Sequence, residues 1–600
     1  MMKDIHELNG LRVRASPSPS PSPSPSPNPS KMTSLPSPVG SSSPSQMKHS
    51  MTLTDFTISI SESSKPPDVT SSSDNINQSR SKSRWNTLEF RLYTVAFALV
   101  VPIMIWIPIN LSSTSHPNYH KFDHRLSPGW FGYKVDNSDA QYRTFRSNLI
   151  PLLSLSSIYL LSSYIHSRLI TIPSLENRSR FIFTFSVIMI FILHGSSAFK
   201  VLIILSLNYY VSRISVTGPI KKIWPAILVV GNMAILFANE RNQGYKFGEL
   251  HGSLGTLDTW SGLLPRWHVG FNITMMRMVS YGLDYLWRQQ NTSQEIPTEY
   301  RKRVTTSVSD EDYGFINYMS YCLYPPLYIA GPIITFNDFI WQLRNPTTIQ
   351  YKAKISYAIR FVFSFLTMES MLHTMYVVAI KDTKAWQGDS PAEMSMIGFW
   401  NLVVVWLKLL IPWRFFRLWA LLDGMDPPEN MIRCVANNYS TLGFWRSWHR
   451  SYNLWVVRYI YIPVGGSKNA ILATGLVFTF VALWHDLSFK LLAWGWLISL
   501  FILPELIARK TFSASKYDHN WWYRHLCAIG GVINILLMMS ANLVGFVLGL
   551  EGMKTLLVEL TSTVSGWLFM LFACCCLFIA VQVMFEYREE EKRKGIDRKC

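Results

Sequence analysis

LYTVAFALVVPIMIWIPI, residues 92–109, is an uncharged run of 18 residues interrupted only by Pro102 and Pro108. Such a run is long enough for a helix to cross the hydrocarbon core of a bilayer. Arg80, Lys82, Arg84 and Arg91 stand just before it, which puts the N-terminal side in the cytosol by the bias of basic residues toward that face. Similar runs follow near 149–166, 181–212, 223–238, 355–380, 396–422, 469–486, 490–508, 526–549 and 565–585; the run at 181–212 reads as one helix or two. Together they predict an all-α polytopic membrane protein with roughly ten to twelve transmembrane or re-entrant helices.

Composition agrees. Of 600 residues, 48% are hydrophobic and 16% charged, against roughly 25% charged in an ordinary soluble domain. The average is diluted by residues 1–84, which hold 12 of the 32 prolines. Within that segment Ser and Pro fill 14 of the 15 positions from Ser16 to Ser30. Such a stretch buries nothing and reads as a disordered cytosolic tail, with no apolar segment before it to serve as a cleavable signal. The tail carries nine Lys/Arg against six Asp/Glu, so +15 of the net +18 belongs to the apolar body. That distribution excludes a basic nucleic-acid-binding arm and fits loops facing anionic membrane lipids. The expected organisation is the tail at 1–84, N-terminal transmembrane helices at 85–250, a catalytic core at 251–510, C-terminal transmembrane helices at 511–585 and a solvated charged tail at 586–600. The seven cysteines show no paired spacing, so neither a disulfide framework nor a zinc site is expected.

Two stretches fit neither a plain span nor a loop. Residues 271–287 keep helical spacing but carry Arg277 and Asp284, as a helix in the interface or beside an internal cavity would. Residues 318–335 contain Pro325, Pro326, Gly331 and Pro332, which break a helix and suit an interrupted segment around a protein-lined cavity.

Histidine follows tryptophan at His268, His449 and His485. His485 closes an apolar run, where a neutral imidazole is suited to take a proton from a hydroxyl and return it to a leaving group near pH 7. His449 sits in WRSWHRSYN, residues 445–453, followed by RYIYIPVGG at 458–466. Arginines mixed with aromatics suit a cavity for an anionic amphiphile, and Gly465-Gly466 would end the segment. His194, Glu369 and His373 lie in apolar runs and are expected to be hydrogen-bonded core residues. No Walker loop, GxGxxG after a strand, HExxH or GxSxG occurs, so nucleotide hydrolysis and serine-hydrolase chemistry have no support.

WRSWHRSYNLWVVRYIYIPVGG (445–466) with ALWHD (482–486) resembles the core signature of the membrane-bound O-acyltransferases, the MBOAT family. FNITMMRMVSYGLDY (271–285) and YPPLYIAGPIITFNDF (324–339) resemble its upstream blocks. Within the family the likeness is to the fungal glycerol-uptake (Gup) branch, related to the hedgehog acyltransferases.

The resemblance implies the MBOAT fold around a central tunnel, and a multi-pass enzyme of the endoplasmic reticulum with acyl-CoA as co-substrate. The acceptor it implies is a lysophospholipid hydroxyl, the lyso-phosphatidylinositol of a glycosylphosphatidylinositol (GPI) anchor. It also implies His485 and His449 as catalytic residues. His485 would be the general base; His449, with Trp448 and Asn453, would position the acceptor or stabilise the oxyanion. Trp445, Arg446, Arg450, Arg458, Trp484 and Asp486 complete the expected substrate-binding set. The hedgehog branch carries an acidic residue where this chain has His449, which makes palmitoylation of a protein amine the weaker reading. Cys434, 15 residues before His449, matches the place of a haem-ligating cysteine in that branch. A proton-coupled glycerol transporter is the alternative from another class.

Overall fold

The computed structural model describes residues 82–170, 174–290, 300–346, 348–485 and 489–596. The Ser/Pro stretch at 16–30 and Asp486 lie outside the described residues. The helices that carry the fold, numbered in chain order, begin with α1 (Leu88–Leu111), α2 (Leu149–Leu169), α3 (Leu175–His194), α4 (Ser197–Ser212) and α5 (Ile220–Arg241). Next come α6 (Trp267–Trp287), α7 (Phe315–Leu323), α8 (Phe336–Arg344), α9 (Tyr351–Thr374) and α10 (Pro391–Leu422). Two short helices follow, α11 (Thr441–Ser447) and α12 (Arg450–Val456), then α13 (Ala470–His485) and α14 (Phe489–Thr511). The chain closes with α15 (Tyr523–Asn542), α16 (Gly549–Ser562) and α17 (Val564–Arg593). Among the described residues the paired strands are one hairpin, Leu126–Pro128 against Lys134–Asp136.

Seven of these helices are long and apolar enough to cross a membrane: α1, α2, α5, α9, α10, α15 with its extension to Val547, and α17. Ser197–Ser212 and Leu472–His485 are apolar but shorter. Among the described residues every apolar run identified in the sequence lies on helices, the one at 355–380 being interrupted at Met375–Tyr376. The run at 181–212 divides in two at Gly195, whose φ of 57° lies in the left-handed region. A side chain there would collide with the Trp260 carbonyl, so the turn requires glycine.

The proline-rich segment is broken where expected. α7 stops at Leu323, Pro325–Tyr328 forms a single turn, and α8 resumes at Phe336. Interrupted helices leave carbonyls without amide partners. Here the Arg277 guanidinium supplies donors to the carbonyls of Cys322 at 2.8 Å, Tyr321 at 3.3 Å and Leu327 at 2.5 Å. α6, which carries it, is buried around nearly its whole circumference from Phe271 to Asp284. The membrane interface, one of the two positions anticipated for this helix, is not the one observed. Its two charges are consumed inside the core: Arg277 by those carbonyls and Asp284 by Arg458, 2.7 Å away.

The C-terminal charges also depart from expectation. Rather than a solvated stop, the segment from Glu586 to Arg593 completes a 30-residue helix, with Glu586 and Glu591 buried. Glu586 meets Arg593 at 2.6 Å, Arg524 meets Glu589 at 2.7 Å, and Arg433 meets Glu591 at 2.8 Å. Buried charges persist only when paired, and these pairs fasten the end of α17 to α15 and to the loop preceding α11.

Candidate functional site

That loop shapes the site. Met431 forms a β-bridge with Trp448, Ile432 N donates to Ser447 O at 3.3 Å, and Arg450 N donates to Asn430 O at 3.1 Å. Ser451 N donates to the Asn430 side-chain oxygen at 3.1 Å. Between these ties His449 adopts φ 45°, ψ 51° as the residue that begins α12. A left-handed conformation costs a non-glycine residue about 1–2 kcal/mol, so the flanking bonds hold a backbone the residue would otherwise avoid. Beyond α12 the helix loosens into a π-turn over Val457–Tyr461, and Gly465 and Gly466, at φ 112° and 53°, end the segment as expected.

The His449 ring lies against Trp413 of α10 (centroids 4.4 Å, planes 24° apart) and against Tyr452 (5.2 Å, 20°). Trp484 closes the group, 4.6 Å from Tyr452 and 6.1 Å from His449, with His485 beside it at 4.8 Å. α13 presents His485 as its last residue. Three segments distant in sequence thus bring both predicted histidines into one aromatic cluster. His449 is half-buried in this cluster and His485 is exposed over more than a third of its surface.

Hydrogen bonding separates these two from His194 and His373, while His268, buried on α6, keeps an Nδ1 without a partner among the described residues. His194 has both ring nitrogens engaged, by Leu264 O at 2.8 Å and Tyr328 Oη at 3.0 Å. His373 contacts Glu369 O at 2.6 Å and accepts from Trp130 N at 3.0 Å. Glu369 accepts from Tyr142 Oη and pairs with Arg146, both at 2.8 Å. These three are satisfied core residues, as expected. Among the described residues no hydrogen bond reaches either ring of His449 or His485. His449 lies outside the seven spans; burial, reinforced by the nearby His485, lowers its pKa from 6.5 to about 3.

The remaining predicted residues fall into three groups. Trp445 and Trp448 pack around Phe444 at 5.0 and 5.2 Å, and the Trp445 indole N–H is buried without a partner among the described residues. Asn453 donates to Trp445 O at 2.9 Å, bracing α12 against α11; Arg450 is buried and Arg446 half-buried. Arg458, expected to meet substrate phosphate, is instead committed to Asp284, which also accepts from Tyr459 Oη at 3.0 Å. Trp413 and Tyr452 were missed. Trp413 stands 36 positions before His449 in an ordinary spanning helix, and Tyr452 lay unremarked in the quoted motif.

Haem ligation at Cys434 is not supported. An axial thiolate is favoured where neighbouring cations lower the thiol pKa, but burial pushes the Cys434 thiol up. A separate apolar cleft of about 420 Å³ opens between α1, α9 and α10, lined by Ile105, Phe363, Met371 and Trp400 among others. None of its lining residues belongs to the histidine cluster.

Residues 264–550 match the family described as MBOAT, membrane-bound O-acyltransferase. Over 534 residues the chain is 48% identical to the membrane-bound O-acyltransferase GUP1 of Saccharomyces cerevisiae, covering 86% of this chain and 94% of that protein. It is 40% identical over 541 residues to the gup1 protein of Schizosaccharomyces pombe, covering 86% and 91%. A more distant likeness, 26% over 215 residues and 34% of this chain against 43% of the other, is to the mouse protein-cysteine N-palmitoyltransferase HHAT.

Proposed function

The chain belongs to the membrane-bound O-acyltransferase family and is an O-acyltransferase; from that premise we propose that it moves a long acyl chain from acyl-CoA to the free hydroxyl of a lysophospholipid. The acceptor is the lyso-phosphatidylinositol of GPI anchors, and the protein works in the endoplasmic-reticulum membrane with its N-terminus in the cytosol. The observation that carries this reading is the pair of imidazoles, His449 and His485, in one aromatic cluster and with no hydrogen bond to either ring among the described residues. His485 takes the acceptor proton as the hydroxyl oxygen attacks the thioester carbonyl carbon. The carbon–sulfur bond then breaks, and the imidazolium returns the proton to the CoA sulfur. No acyl-enzyme forms. His449, held in its left-handed conformation and flanked by Trp413 and Tyr452, orients the acceptor. Trp445, Trp448 and Trp484 line the path of the acyl chain, and Asp486 is retained in the proposed substrate-binding set with Arg446 and Arg450.

The test supplies purified full-length protein in detergent with labelled acyl-CoA and lyso-phosphatidylinositol, expecting label in phosphatidylinositol. Protein that makes no acyl lipid but carries glycerol down a proton gradient in liposomes would replace this reading with the transporter.

A pH prediction follows from His449. Its folded pKa lies far below the free value, so it remains neutral at every pH above about 3. Loss of rate on acidification between pH 7 and 5 therefore cannot come from protonating His449. The acid limb of His449→Asn should keep the wild-type midpoint; a shift in that midpoint would show that His449 titrates in this range.

A further inference from the structure

We infer that Tyr452 is a third catalytic residue, whose hydroxyl donates a hydrogen bond to the thioester carbonyl oxygen of bound acyl-CoA; the inference rests on the acyl-transfer reading above. Among the described residues most other buried tyrosine hydroxyls are hydrogen-bonded. Tyr159 and Tyr324 donate to Asp423 at 3.0 and 2.6 Å, Tyr313 to Asn337 at 2.9 Å, Tyr318 to Asn208 at 2.9 Å and Tyr321 to Ile334 O at 2.7 Å. Tyr357, the other buried tyrosine whose hydroxyl has no partner among the described residues, has its ring face covered by Arg417 at 4.9 Å. Tyr452 is 6% exposed and its hydroxyl has no partner among the described residues, while its ring is sandwiched between His449 and Trp484 at 5.2 and 4.6 Å. A buried unpaired hydroxyl is destabilising by about 1–3 kcal/mol, and a native site that keeps one calls for a partner that arrives with the ligand.

A substrate carbonyl fits that vacancy in the hydrogen-bonding pattern. When the acceptor oxygen attacks, the carbonyl π electrons move onto oxygen. A fixed donor beside that atom stabilises the new negative charge more than it stabilises the ground-state thioester. The electrons return as the carbon–sulfur bond breaks and the CoA sulfur takes the proton held by His485. Tyr452 keeps its own proton throughout. Its position on the first turn of α12, immediately after His449, fixes donor and acceptor-orienting residue on one short rigid element.

Tyr452→Phe keeps both ring contacts and removes only the donor. It should lower kcat by about 10²–10³-fold with little change in KM, and its thermal midpoint in detergent should stay level or rise. A second readout does not depend on turnover. With ¹³C-carbonyl-labelled acyl-CoA bound to His485→Ala protein, the infrared carbonyl stretch should lie at lower frequency than in the His485→Ala, Tyr452→Phe double variant. Unchanged kcat and unchanged frequency in the Phe variants, with wild type active and His485→Ala dead, overturn the role of Tyr452 and leave the acyltransferase reading standing. If wild type transfers no acyl chain, both fall together.

Discussion

Replacing His485 with alanine should lower kcat for acyl transfer by about 10²–10⁴-fold, the contribution of a positioned general base. The protein should stay folded. His485 ends α13, has no hydrogen bond to lose among the described residues, and keeps more than a third of its surface open. Removing it therefore strands no buried donor or acceptor. Because the imidazole is needed for proton transfer and not for holding acyl-CoA, KM should change far less than kcat. Partial recovery on adding free imidazole would mark the loss as chemical. His194→Gln is the matched control: its parent ring is tied at both nitrogens to Leu264 O and Tyr328 Oη, so any loss there should appear as lowered stability with kcat per folded molecule preserved. Equal rates for wild type and His485→Ala would end the assignment of the base.

Arg458→Ala should act in the opposite way, through stability. Its guanidinium is 2.7 Å from Asp284, whose side chain is fully buried and receives a second bond from Tyr459 at 3.0 Å. Truncating one partner leaves a charge in the core with nothing to balance it, at a cost of about 3–5 kcal/mol. Thermal unfolding in detergent should show a large drop in midpoint, while the KM for acyl-CoA in the surviving folded fraction stays near the wild-type value. Arg458→Met combined with Asp284→Leu removes both charges and should recover much of the loss. Should Arg458→Ala keep its midpoint and raise KM, Arg458 is a phosphate ligand after all.

The contrast between these residues shows what the chain order conveys. The membrane class and the helical class follow from apolar runs, which are local and need no partner to be recognised. The break at Pro325 and the stop at Gly465 are equally local, because proline and glycine act on their own backbone. The two histidines stood out for the same reason: each sits beside a tryptophan inside a motif that can be quoted in one line.

What tertiary structure decided is which polar groups are satisfied. His194 and His485 look alike in sequence, each ending an apolar helix. Only the meeting with Tyr328, 134 positions away, identifies the first as structural, whereas among the described residues no such meeting engages the second. Arg458 likewise reads as a phosphate ligand until Asp284, 174 positions earlier, folds against it. The charged end of α17 reads as a solvated tail until Arg433 and Arg524 enclose it. Hydropathy is a property of a segment and is carried by the sequence itself, whereas hydrogen-bond saturation is a property of pairs and exists only once distant segments are brought within about 3 Å.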